Sequence, residues 1–310
     1  MILNADYYQP KILNHQGARL MKKLYAALMT AFNDDDTLNE QGTREMIRYN
    51  IDHNRVDGLY IGGSTGESFM LSTEERERVY KIAFEETAGA VDLIAQVGSV
   101  NLIEAKTLAK YAVDLGYKTI SAVPPFYYKF SFDQIKDYYD QILEDVDAEM
   151  IIYSIPALSG VSLSLDQFTK LFENKKIVGV KYTNNDFLLL QRLRAAYPEK
   201  KLYFGTDEML ISALPLGIDG AIGSTFNLNA KRARAEITAF ESGDIKKAFE
   251  IQNVSNDFIL DLIDNDLYPT IKLVFEELGV HAGYSKAPMS KPTPEMREGA
   301  KRIYNKYFKD

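Results

Sequence analysis

Cysteine is absent from all 310 residues, which excludes disulfides, thiolate catalysis and Cys-ligated metal. Histidine is scarce: His15, His53 and His281 form no pair at helical spacing such as His-Glu-x-x-His, so the sequence offers little to a zinc-dependent chemistry, and no metal is expected. No apolar run approaches the ~18 residues of a membrane span. Basic residues are the minority, 36 against 44 acidic ones, for a formal net charge of −8. That balance argues against nucleic acid or an anionic membrane as the main partner, although a few local groups suffice to capture a small anion. The stretch Met1–Leu20 lacks the basic-then-apolar order of a signal peptide. It reads as an irregular extension carrying Pro10 and Gly17, with Met21-Lys22-Lys23 as an alternative start. A cytoplasmic protein is the simplest expectation.

What is present is alternation. Short β-prone segments at Leu24–Met29, Gly58–Ile61, Val91–Val97, Thr119–Val123, Met150–Tyr153, Ile177–Lys181, Lys201–Phe204 and Gly220–Ile222 are separated by longer stretches. In those stretches, among them Ser72–Thr87, Leu102–Leu115, Phe132–Leu143 and Leu165–Phe172, apolar residues recur at three- and four-residue spacing. Ser72-x-x-Glu75 and Ser131-x-x-Gln134 are capping-box patterns that mark helix starts. Eight strands at roughly the ~30-residue period of a βα unit predict an α/β fold, a (β/α)8 TIM barrel. A doubly wound sheet would usually show a Gly-rich turn after the first strand, and Thr30-Ala31-Phe32-Asn33-Asp34-Asp35-Asp36 has none. After Ile222 the pattern is helical only. The expected divisions are the extension 1–20, a barrel catalytic domain 21–228 and a C-terminal helical appendage 229–310 packed on the barrel.

In such a barrel the chemistry sits at the C-terminal ends of the strands. Lys181 closes the apolar run Ile177-Val178-Gly179-Val180-Lys181. It is either a strand-end lysine reaching out to solvent or a buried amine whose lowered pKa makes it a nucleophile for a ketone carbon. Tyr153 ends the preceding strand and is either a core aromatic or a proton relay; among 20 tyrosines the residue alone does not decide. Gly62-Gly63-Ser64-Thr65-Gly66-Glu67 places three glycines and two hydroxyls after the second strand, a turn that can present N–H and O–H groups to a carboxylate. No Gly-Lys-Ser/Thr follows, so it is not a nucleotide-phosphate loop. Gly205-Thr206-Asp207-Glu208 and Gly223-Ser224-Thr225 follow the seventh and eighth strands. Both turns suit a polyol, and two acids beside each other favour a neutral sugar over a phosphorylated one.

The segments Gly58–Glu67, Tyr153-Ser154-Ile155-Pro156-Ala157-Leu158-Ser159-Gly160 and Gly179-Val180-Lys181-Tyr182-Thr183 resemble the N-acetylneuraminate lyase and dihydrodipicolinate synthase superfamily from about Met21 to the C-terminus. Three motifs in the right order favour the functional reading of Lys181 and Tyr153. The stretch Ala157-Leu158-Ser159-Gly160 lacks the arginine expected of the synthase branch, so the lyase branch is the nearer match. Ser154 stands where asparagine is usual, and Thr206 where a tyrosine is often found.

The resemblance implies cleavage of N-acetylneuraminate to pyruvate and N-acetylmannosamine through an imine on Lys181, with no cofactor. Ser64 and Thr65 would hold the carboxylate, and Tyr153 would move protons. Tyr127 would support it from a neighbouring chain, in a homotetramer. Thr183, Gly205, Asp207, Glu208 and Ser224 would hold the sugar hydroxyls. The alternatives are another pyruvate-dependent aldolase, a dihydrodipicolinate synthase-like enzyme, or a keto-acid-binding barrel without turnover.

Overall fold

The computed structural model describes residues 22–309; the extension 1–20 lies outside the described residues. Eight parallel strands close on themselves: β1 (Lys23–Ala27), β2 (Gly58–Ile61), β3 (Asp92–Gln96), β4 (Thr119–Ala122), β5 (Glu149–Ser154), β6 (Ile177–Tyr182), β7 (Lys201–Phe204) and β8 (Gly220–Gly223), with β8 paired back to β1. The architecture is the expected (β/α)8 barrel.

Each strand divides its side chains between two cores. Leu24, Ala26, Leu59, Ile61, Met150 and Ile152 pack outward against the helices. Tyr25, Ala27, Tyr60, Ile94, Ile151, Tyr153, Tyr203 and Ile222 fill the barrel interior. This is the period-two alternation of a strand buried on both faces. The interior is unusually rich in tyrosine, so its hydroxyls need partners. Tyr25 donates to Asp92 at 3.1 Å, and Tyr60 donates to Ser121 Oγ at 3.0 Å.

The outer ring begins with α1 (Glu40–Asp52), α2 (Thr73–Thr87), α3 (Leu102–Leu115) and α4 (Phe132–Glu144). A short α5 (Pro156–Ser159), α6 (Leu165–Leu171), α7 (Phe187–Ala196), a short α8 (Leu210–Ala213) and α9 (Phe226–Glu241) complete it. The capping boxes at Ser72 and Ser131 form, and a third forms at Ser164 with Gln167. Helix α9 packs on β1 and spans position 228, so the division expected there falls inside the helix that closes the barrel. Beyond it lie α10 (Ile245–Ile263), α11 (Leu267–Glu277) and α12 (Pro294–Tyr307). No helix among the described residues is long and apolar enough to cross a membrane.

Candidate active site

Lys181 faces the barrel interior because β6 breaks its own alternation. Ile177, Val180 and Tyr182 all pack in the outer, strand–helix core, whereas Val178 packs on the inner one. Strict period two from Ile177 would send residue 181 outward as well. Instead the register with β5 shifts by one, from Met150 opposite Ile177 to Ile151 opposite Gly179, and Tyr153 then stands opposite Lys181. A one-residue bulge thus turns the lysine into the site.

There the ammonium is almost fully buried, with Nζ 4.1 Å from the ring centroid of Tyr60 and 4.1 Å from that of Tyr153. Burial lowers its pKa from the ordinary lysine value to about 7, against a smaller upward pull from Asp207. A substantial neutral-amine fraction at neutral pH is what a nucleophilic lysine requires. The two rings favour the cation, so desolvation is the larger of two opposing effects.

The Tyr153 hydroxyl faces Ser64 and Thr183; burial pushes its pKa up to about 12, and those two hydroxyls hold it back from going higher. The phenol is therefore a proton donor at neutral pH. Ser64-Thr65-Gly66 forms a single 3-10 turn after β2. The amides that open this turn have no acceptor inside it, which suits an anionic oxygen. Thr65 Oγ1 and Ser224 Oγ lie 2.6 Å apart, so hydroxyls expected to serve two parts of a ligand form one pair. The Tyr268 hydroxyl of α11 faces both of them.

Gly205 lies so close to Thr183 that a β-carbon there would run into the threonine hydroxyl. The Thr183 Oγ1 atom is itself buried and, beyond the Tyr153 hydroxyl that it faces, has no partner, which leaves it hydrogen-bonding capacity for a ligand. Asp207 is held from one side. Its Oδ2 accepts from the Thr225 N–H at 2.9 Å and from Thr225 Oγ1 at 2.6 Å, and Gly223 leaves the space its carboxylate fills. Burial, then the neighbouring Glu208, raise the Asp207 pKa to about 6. Glu208, next to it, is half-buried.

The structure therefore brings Lys181, Tyr153, Ser64 and Thr183 together, with Thr65 and Ser224 as a second pair. Tyr127 makes no contact with these residues: it is 87% exposed, its φ is 76°, and its ring meets that of Tyr128 edge-on. Tyr60 and Tyr268 also belong to the site and were not singled out from the sequence. For Tyr60 a signal existed, since it lies in the same short strand as the Gly62–Glu67 turn; for Tyr268, on a C-terminal helix, there was none.

Thr225 gives a direct test of the Asp207 arrangement. Thr225→Val removes one hydrogen bond to a buried carboxylate, and unfolding in denaturant is expected to show a loss of ~1.5–3 kcal/mol. An unchanged midpoint would mean that the backbone N–H alone suffices.

The fold and this cluster define a (β/α)8 barrel built around a desolvated amine at the C-terminal ends of its strands. The chain belongs to the dihydrodipicolinate synthetase family, whose sequence model matches residues 20–306. It is 62% identical to an N-acetylneuraminate lyase of Lactiplantibacillus plantarum over 93% of this chain and 99% of that one. It is 57% identical to an N-acetylneuraminate lyase of Clostridium perfringens over 93% of this chain and all of the other. Among solved structures, CdNal from Clostridium difficile in complex with mannosamine superposes with a TM-score of 0.91 at 56% identity, covering 93% of this chain and 99% of that one. N-acetylneuraminate lyase from Fusobacterium nucleatum complexed with pyruvate gives 0.89 at 52% identity, covering 93% and 98%.

Proposed function

We propose that this chain is a carbon–carbon lyase that cleaves N-acetylneuraminate reversibly to pyruvate and N-acetylmannosamine through an imine on Lys181. The observation that carries the chemistry is the buried Lys181 amine with a pKa lowered to about 7, beside a phenol that stays protonated. The relatives named above, similar over nearly their whole length, carry the choice of substrate.

The neutral Lys181 amine attacks the ketone carbon of the open-chain sugar acid, whose carboxylate sits on the Ser64-Thr65 turn. The Tyr153 phenol gives its proton to the carbinolamine oxygen, which leaves as water, and a protonated imine remains. The resulting phenolate, disfavoured by burial, takes the proton of the C4 hydroxyl. The C3–C4 bond breaks, its electron pair moves into the imine to give an enamine, and the C4 oxygen becomes the aldehyde of N-acetylmannosamine. Protonation of the enamine at C3 and hydrolysis release pyruvate and free Lys181. No cofactor takes part. The Thr183 hydroxyl, Gly205, Ser224 and the carboxylates of Asp207 and Glu208 hold the sugar hydroxyls.

Tyr127 acts in the neighbouring site of a homotetramer in the cytoplasm; its exposure beside Tyr128 supports this reading. The barrel is the catalytic domain, and the C-terminal helices complete it.

Borohydride reduction in the presence of pyruvate, with peptide mapping, is expected to leave a pyruvyl adduct on Lys181. A parallel assay is expected to show N-acetylmannosamine released from sialic acid. An adduct without cleavage would keep the aldolase chemistry and move the substrate elsewhere; no adduct on folded protein would overturn the mechanism and leave a keto-acid-binding barrel.

A further inference from the structure

Glu67 ends the carboxylate turn in a conformation that a glutamate does not favour. Its φ is 60°, in the left-handed region, and its N–H closes the turn on Ser64 O at 3.0 Å. The side chain is fully buried, and both carboxylate oxygens are bound from far along the chain. Oε1 accepts from Lys272 Nζ on α11 at 2.6 Å, and Oε2 accepts from the Lys286 N–H at 2.7 Å. Lys272, equally buried, also donates to Tyr284 O at 2.6 Å and stands 5.0 Å from the Phe32 ring centroid. Tyr284 in turn bridges to Phe32 in the loop after β1.

Replacing such a pair with apolar residues of similar size is often neutral or stabilising, so stability alone does not explain it. What the pair does supply is position. It fixes the end of the Ser64–Glu67 turn against α11, the helix that also carries Tyr268 to the Thr65–Ser224 hydroxyls one turn earlier. We infer that Glu67 and Lys272 are positioning residues that hold the carboxylate turn in register with Lys181, and that the C-terminal helices are thereby part of the substrate-binding apparatus. The inference rests on the proposed imine chemistry, in which that turn receives the keto-acid carboxylate.

The test is pyruvate titration with borohydride trapping, run on wild type, Lys272→Met and the double variant Glu67→Gln/Lys272→Met. The double variant leaves no unpaired buried charge. Its half-saturating pyruvate concentration is expected to rise by at least ~10-fold, because small misplacements of a binding group are costly. Trapping at saturation should still reach Lys181, and KM for sialic acid should rise alongside, so that kcat/KM for cleavage falls further than kcat. A double variant that titrates like wild type would overturn the inference, as would a loss of folding in the double variant, which would make the pair a fold determinant. If wild type itself traps no pyruvate, the proposed function has failed instead.

Discussion

Lys181→Met is expected to abolish pyruvate trapping, to lower sialic acid cleavage by on the order of 10⁴-fold or more, and to leave a protein more stable than the wild type at neutral pH. The first two effects follow from losing the atom that forms the imine, since without an electron sink the C3–C4 bond has no feasible route to a carbanion. The third follows from where the lysine sits. Its amine is buried between two tyrosine rings, and burial lowers its pKa to about 7, from an ordinary value near ~10.4. Between those two values the unfolded chain binds a proton that the folded chain does not, so wild-type stability rises with pH through that window. At pH 7 and below, the cost of holding the lysine in place amounts to ~4 kcal/mol. The neutral, similarly sized methionine does not incur it. The melting temperature of the variant should therefore exceed that of the wild type at pH 6–7, and the two curves should converge towards pH 10. Parallel curves at every pH would mean that the lysine is solvated in the folded protein, and the nucleophile argument would lose its basis. The same titration governs the wild-type enzyme: imine formation needs the neutral amine, so its rate should climb as pH rises through about 7.

The strands were legible because buried parallel strands are short apolar runs, and most expected boundaries fall within about two residues of the observed ones. The inward turn of Lys181 was not legible. It depends on a bulge in β6, and alternation read from Ile177 puts residue 181 on the wrong face. A lysine at the end of an apolar strand is costly in any register, which singles the residue out, but only the resemblance of three motifs in order favours a nucleophile over a lysine reaching out to solvent. The division at 228 followed the end of the strand signal, and α9 begins before it, directly after the Ser224-Thr225 turn that also belongs to the site. Asp207 was read as a sugar ligand, but one of its oxygens is occupied by Thr225, a pairing across 18 residues that only the closed barrel brings about. Glu67 stood inside a motif read for its glycines and hydroxyls. Its partner lies 205 residues further on, at a separation where local pattern carries no information.

Tyr153→Phe separates the proton relay from the scaffold. The phenylalanine keeps the ring that packs edge-on against Tyr60 at 5.8 Å and faces Lys181 Nζ, so folding and the lysine's surroundings should persist. Only the hydroxyl that faces Ser64 and Thr183 is lost. A proton donor placed on the reacting group is worth ~10²–10⁴-fold, and kcat for cleavage is expected to fall within that range. Because burial pushes the Tyr153 pKa up to about 12, the phenol stays protonated across the working range, and removing it should lower the rate at every pH without moving the limb near 7 that belongs to Lys181. Pyruvate should still be trapped on Lys181, more slowly, since the amine remains and water can donate a proton in place of the phenol. A fall in kcat of less than about tenfold would assign the relay to another group. Complete loss of trapping on folded protein would instead make the hydroxyl a requirement for binding the keto acid, because the Ser64 hydroxyl that faces it belongs to the turn that receives the carboxylate.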